Sequence, residues 1–136
     1  MKKTELVNMN AAALAYMGDA VYEQAVRERI LEMGIRRADR LQRTAARWYV
    51  SATAQAQVCE EIFGDLDEKE QAMVKRWRNY RPRSLPKNTD PMTYKWATAF
   101  EAYIGYLYLG GEKEKLDEVL RRAFGTIEEK MPAAGR

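Results

Sequence analysis

The sequence predicts an all-α fold, a single domain over residues 1–136 with about six to seven helices. Three observations carry that prediction. Apolar residues recur at helical spacing along most of the chain, and no stretch alternates with period two for long enough to make a strand. Helix breakers are concentrated, since three of the four prolines stand in "RPRSLPKNTDPM", residues 81–92, where a regular helix is excluded. At 136 residues, 46% hydrophobic and 32% charged, the chain has the make-up of one globular domain, of a size that buries roughly two-thirds of its unfolded surface.

The elements follow in order. A first helix is expected over residues 10–33, with Asn8 or Asn10 as its N-cap and Gly34 to end it. A second covers about 38–49. Ser51 can cap a third, "ATAQAQVCEEIF", which stops at Gly64, and Asp65 or Asp67 can open a fourth through "EKEQAMVKRWRNY". After the proline-rich break a fifth helix runs from about 93 to 109 and ends at Gly110-Gly111. A sixth spans about 112–130, and the last few residues should fray. There is no internal repeat, low-complexity tract or interdomain linker.

Composition removes several kinds of chemistry. The chain has no histidine, which excludes Ser-His and Cys-His nucleophiles and the commonest general base. Its one cysteine, Cys59, forms no intrachain disulfide, and structural zinc is close to excluded. No run reaches the length of a membrane span, and the N-terminal stretch meets an acid before any long apolar segment. A cytoplasmic protein with no membrane contact is expected. Any reaction must rest on carboxylates, lysines or a metal.

Two apolar helices each carry a glycine beside an acid: "AYMGDAVYEQAV", residues 15–26, and "AFEAYIGYLYL", residues 99–109. A glycine inside a helix costs about 1 kcal/mol relative to alanine, so Gly18 and Gly105 need a reason. Close crossing of two helices is the plain one. The acids add to it. Apolar residues surround Glu101 in nearly every direction about its helix, so it should project into protein, and Asp19 shares its face with Ala12, Ala15 and Tyr22, two of them small enough to leave space. A lone buried acid is more often met by an arginine or a cap than by a metal. Two acids, each within a turn of a helix glycine, point instead to one oxygen-lined site shared by crossing helices. That suits Mg²⁺, which one or two carboxylates hold together with water and phosphate.

Basic residues cluster while the net charge is only +3. Arg36, Arg40, Arg43 and Arg47 are spaced by four, three and four, one narrow stripe if the segment is helical. "KRWRNYRPRSLPK" holds Lys75, Arg76, Arg78, Arg81, Arg83 and Lys87 with no acid, interleaved with Trp77 and Tyr80. A charged face is usually only solvated. Two arginine-biased patches, one feeding directly into the Glu101 helix, favour phosphate contact. The acids of 60–70 should face solvent. Glu23 is assigned to a surface pair with Arg27. Tyr103, Tyr106 and Tyr108 are expected in the core or an interface, and Gln55 and Gln57 are given no chemistry.

"AYMGDAVYE" resembles the signature helix of the ribonuclease III family, and "TAFEAYIGYLYL" resembles the later helix of the same endonuclease domain. "SATAQAQV", "VKRWRNY" and "PKNTDPMTYKWATAFEA" resemble, in the same order, segments of its Mini-ribonuclease III subgroup, the catalytic domain without an appended double-stranded-RNA-binding domain. The resemblance covers nearly the whole chain. It implies that Asp19 and Glu101 are the catalytic residues and metal ligands, with Mg²⁺ as cofactor and Mn²⁺ able to substitute. Larger relatives use four carboxylates, and the matching positions here hold Ala15 and Thr98, as the subgroup's do. One Mg²⁺ in the free enzyme and a second arriving with RNA are therefore expected. The resemblance further implies a homodimer that hydrolyses double-stranded RNA to 5′-phosphate and 3′-hydroxyl ends. Its implied task is maturing precursor large-subunit (23S) ribosomal RNA in bacteria, with a large-subunit ribosomal protein as a potential helper. Arg40, Arg43, Arg47, Arg78, Arg81, Arg83 and Lys87 are the candidate RNA contacts. Two rivals are a non-catalytic helical RNA-binding scaffold, which leaves the paired acids unexplained, and an all-α pyrophosphohydrolase, which needs paired E-x-x-E motifs on core helices.

Overall fold

The structure, a computed structural model, describes residues 1–132. They form seven helices and no strand: α1 Lys3–Asn8, α2 Ala11–Glu32, α3 Ala38–Thr44, α4 Ala52–Phe63, α5 Glu68–Arg78, α6 Pro91–Leu109 and α7 Lys113–Glu129. The expected fraying of the last few residues falls mainly outside the described residues.

Side-chain caps set most of the starts. Asn10, Ser51, Asp67 and Asp90 each accept a hydrogen bond from the backbone N–H three residues on, at 2.8–3.2 Å, which satisfies donors a helix start leaves open. Gly34, at φ +95°, carries the chain out of α2 through the left-handed region that glycine enters without strain.

Three features depart from expectation. α1 was not foreseen. It is one short turn and a half, held because Leu6 is buried against the core and because Arg76 donates to the carbonyl of Val7 at 2.9 Å. α6 begins two residues early, since Pro91 sits in the first turn behind the Asp90 cap, where a missing N–H costs no helix bond. The second helix does not run on regularly to Tyr49. After Thr44 it widens into a π-helical turn over Ala45–Tyr49, in which the N–H of Val50 reaches back five residues to Ala45 at 2.9 Å.

α6 is the central helix. Ala97, Ala99, Phe100, Ala102, Tyr103, Ile104, Gly105, Tyr106 and Leu107 are all buried on it, too many directions for a helix with one solvent face. α2 lies most extensively against it, with α4, α5 and α7 completing the surround. Tyr22 and Phe100 meet edge to face, ring centres 5.1 Å apart, a geometry favoured by aromatic quadrupoles. A polar clamp ties α2 to α7. Arg29 donates twice to the Glu128 carboxylate at 2.6 and 2.7 Å, and the Tyr49 hydroxyl donates to it at 2.8 Å.

Candidate active site at the glycine crossing

The glycines are explained by the backbone itself. A Cβ placed on Gly18 would overlap the carbonyl oxygen of Glu101 and stand 2.9 Å from the Gly105 nitrogen. A Cβ on Gly105 would overlap the carbonyl oxygen of Leu14. α2 and α6 therefore touch main chain to main chain, and both partners must be glycine. Since Asp19 follows Gly18, the crossing that admits Glu101's carbonyl brings the two acids together.

Their surroundings are unequal. Glu101 is half-buried, as expected, whereas Asp19 is exposed rather than enclosed. The small residues Ala12 and Ala15 do leave space, but it opens beside Glu101: a notch of about 180 Å³ lined by Ala12, Ala15, Trp77, Arg78, Tyr80, Pro82, Tyr94, Lys95, Thr98 and Glu101. Loss of hydration drives the Glu101 carboxyl up to about 8 from 4.5, helped by its hydrogen bond to Asp19 and by the Asp19 charge, with a smaller push from Glu23. In its protonated form Glu101 donates to Asp19. Burial together with the neighbouring Asp19 charge thus favours the protonated form of Glu101.

One residue resists that shift. Gln55, with its amide beside Glu101, favours the charged form of that acid. It is 4% exposed, the only buried polar side chain among the described residues. The tight packing expected of this helix is what the structure shows, and it sets the Gln55 amide beside Glu101. Its setting in "ATAQAQV" is that of a tightly packed helix, and the signal that could have found it is a glutamine on the same helix face as Val58, Cys59 and Ile62. Gln57 by contrast is exposed and accepts from Lys130 at 2.7 Å.

The basic residues are partly rearranged from the expected stripe. Arg36 lies outside α3 and donates to the carbonyls of Leu31 and Ile35, so it closes the end of α2. The π-helical turn shifts Arg47 out of register with Arg40 and Arg43, and its guanidinium lies over Trp48 at 5.1 Å. Arg40, Arg43 and Arg47 are exposed, as are Arg81, Arg83 and Lys87 on the segment between α5 and α6. Arg78 is half-buried, stacked over Trp96 at 5.0 Å. Glu23 pairs with Arg27 at 3.5 Å. Tyr103 and Tyr106 are core residues while Tyr108 stays exposed, and the acids of 60–70 face solvent apart from Glu70, which accepts from Tyr103 at 2.9 Å.

An all-α domain that pairs two acids at a glycine crossing, with arginines on the flanking surfaces, has the features of a nuclease domain. The family model described as "Ribonuclease III domain" matches residues 12–112, and the chain belongs to the ribonuclease III family and is an endoribonuclease. It is similar to the Mini-ribonuclease 3 of Symbiobacterium thermophilum, 46% identical over 128 residues that cover 94% of this chain and 98% of that protein. The Brevibacillus brevis Mini-ribonuclease 3 is 42% identical over 132 residues, again 94% of this chain and 98% of the relative. A crystal structure of a Fusobacterium nucleatum protein shares the fold at a TM-score of 0.76 and 29% identity, covering 88% of this chain and 94% of that one. No helix among the described residues is long and apolar enough to cross a membrane.

Proposed function

We propose that this endoribonuclease hydrolyses double-stranded RNA in a reaction dependent on Mg²⁺, with Asp19 and Glu101 as the catalytic metal ligands. The observation that carries the reading is the carboxyl pair itself, with Glu101 held up to about 8 beside Asp19. A cation held by the two acids would offset the cost of keeping the Glu101 charge in that setting. No group of three or more Asp, Glu, His or Cys able to hold a metal occurs among the described residues, so the donor set suits an ion that keeps several waters, Mg²⁺ or Mn²⁺, rather than zinc. When bound, such an ion lowers the pKa of a water and neutralises charge on the scissile phosphate. The protein's own part is to hold the acids. The glycine crossing sets their spacing, and the Gln55 amide favours the charged form of Glu101.

Recognition falls to the exposed Arg40, Arg43, Arg47, Arg81, Arg83 and Lys87, with Arg78 nearer the site. Duplex RNA hides its base edges in a deep groove, so phosphates and 2′-hydroxyls are the accessible features. Cutting both strands suits a homodimer. The outer face of α2 offers a surface for it, with Ala13 and Ala20 exposed beside Tyr16, 83% exposed; unpaired apolar area of that kind marks contact surfaces. The proposed task is maturation of precursor 23S ribosomal RNA in the bacterial cytoplasm, on RNA alone or with a large-subunit ribosomal protein bound to it.

Incubation with a long RNA duplex and with one of its separated strands, with and without Mg²⁺, tests this. Duplex cut only with metal, leaving 5′-phosphates, is the expected result. Equal cutting of the single strand, or cutting in EDTA, overturns it.

A further inference from the structure

The notch beside Glu101 has an unusual charge balance for the neighbourhood of a cation site. Glu101 is the only acid on its lining, against Arg78 and Lys95. Lys95 stands on α6 three residues before Thr98, on a shared face, and it lines the notch together with Thr98 and Glu101. It is half-buried, and no ion pair or hydrogen bond among the described residues engages its ammonium. Its stem is packed on the lining while its positive charge has no acceptor among the described residues. The Thr98 hydroxyl donates its proton to the Tyr94 carbonyl at 3.0 Å and so has none left to donate into the notch.

A residue of the lining also carries a donor without an acceptor. Trp77 is 2% exposed, and its indole Nε1 is the one buried side-chain polar atom among the described residues that lacks a partner. An indole nitrogen can only donate, and most buried donors in folded proteins find an acceptor. Arg78 is already oriented by Trp96 and by a bond from its Nε to Asn79 at 3.2 Å, which leaves its remaining N–H groups for another acceptor. Two positive charges against one acid on the lining of a single recess call for an anion rich in oxygen.

We infer that the notch is a phosphate-binding subsite in which Lys95 contacts a non-bridging oxygen of the RNA backbone next to the acid pair. The inference rests on the proposed RNA-cutting reaction and adds to it a residue outside the acid pair and outside the exposed arginines. Lys95 supplies, from the protein, positive charge on the side of the phosphate away from Asp19. Contact with the reacting phosphate makes it a catalytic residue rather than a general binding one. Its loss should slow turnover on the order of a hundredfold, the usual size for one donor aimed at developing negative charge, while KM, set by many other phosphate contacts, changes little.

Three measurements on the full chain test it. Cleavage of duplex RNA in Mg²⁺ is compared for the parent, Lys95→Met and Lys95→Arg, with Mn²⁺ affinity measured on each without RNA. In parallel, the Trp77 indole N–H resonance of metal-free protein is followed during titration with inorganic phosphate. The expected results are a large fall in kcat for Lys95→Met with little change in KM, partial recovery in Lys95→Arg, and Mn²⁺ affinity no weaker in either. The Trp77 resonance should move in the parent and not in Lys95→Met. A parent that cleaves and a Lys95→Met that cleaves equally well would overturn the inference and leave the proposed function standing. If the parent cuts no duplex, the proposed function falls and the phosphate titration decides alone: movement lost in Lys95→Met upholds an anion subsite, and no movement in the parent overturns it.

Discussion

Replacing Glu101 by glutamine should make the metal-free protein more stable, and increasingly so as pH rises. The folded state holds the Glu101 proton up to about 8, whereas an unfolded chain releases it near 4.5. Between those values the folded state binds more protons, so stability falls with rising pH. At about 1.4 kcal/mol per pH unit, the penalty is under roughly 1 kcal/mol at pH 5, about 3 at pH 7 and 4 to 5 above pH 8. Glutamine copies the shape of the protonated acid, and its amide can still donate to Asp19. Thermal melts in EDTA of parent and Glu101→Gln at pH 5 and pH 8 provide the assay. Near-coincident curves at pH 5 and a variant melting on the order of ten degrees higher at pH 8 are expected. An equal gap at both pH values, or a variant no more stable at pH 8, would refute the claim that α6 presents a carboxyl destabilised by its setting.

Three further changes probe the same framework. Gly18→Ala pushes a methyl into the Glu101 carbonyl and should cost about 3 kcal/mol or more by overpacking against rigid backbone, read as a lower denaturant midpoint; a loss under 1 kcal/mol would contradict the main-chain contact. Gln55→Leu removes the amide donor from Glu101 at nearly constant volume and should weaken Mn²⁺ binding roughly tenfold at pH 7, with the deficit shrinking as pH rises above 8; unchanged calorimetric affinity would show that the amide does not hold the carboxylate. Glu128→Gln strips the charge that meets Arg29 and Tyr49 and should cost about 2 kcal/mol, discounted from the range for fully buried pairs because the Arg29 side chain is 38% exposed; a variant as stable as the parent would reduce the clamp to a surface ion pair.

The sequence carried the fold well because its signals were local. Asn10, Ser51 and Asp67 each cap the helix expected of them, Gly34 ends α2, and the proline cluster falls in the one long irregular connection. The glycine-acid pairs at 18–19 and 101–105 were legible too, since a helix glycine among apolar residues has few other uses. Three things were not. The π-helical turn after Thr44 arises where Tyr49 must reach both Tyr22 and Glu128, a tertiary demand with no mark in "ARWY". The exposure of Asp19 depends on which side of α2 the neighbours leave open, which periodicity within α2 does not reveal. Gln55 and the notch bring together residues from α2, α4, α5 and α6, and a chain pattern read one helix at a time does not bring those faces together.

Asp19 and Glu101 are claimed to work as one unit, and duplex cleavage in Mg²⁺ by the parent, Asp19→Asn, Glu101→Gln and the double variant tests that most directly, with circular dichroism confirming that each is folded. Residues acting as a unit are strongly non-additive. Each single variant should lose nearly all activity, with the double variant no slower than either. Substantial cleavage by either single variant, or losses that multiply in the double, would contradict the shared site.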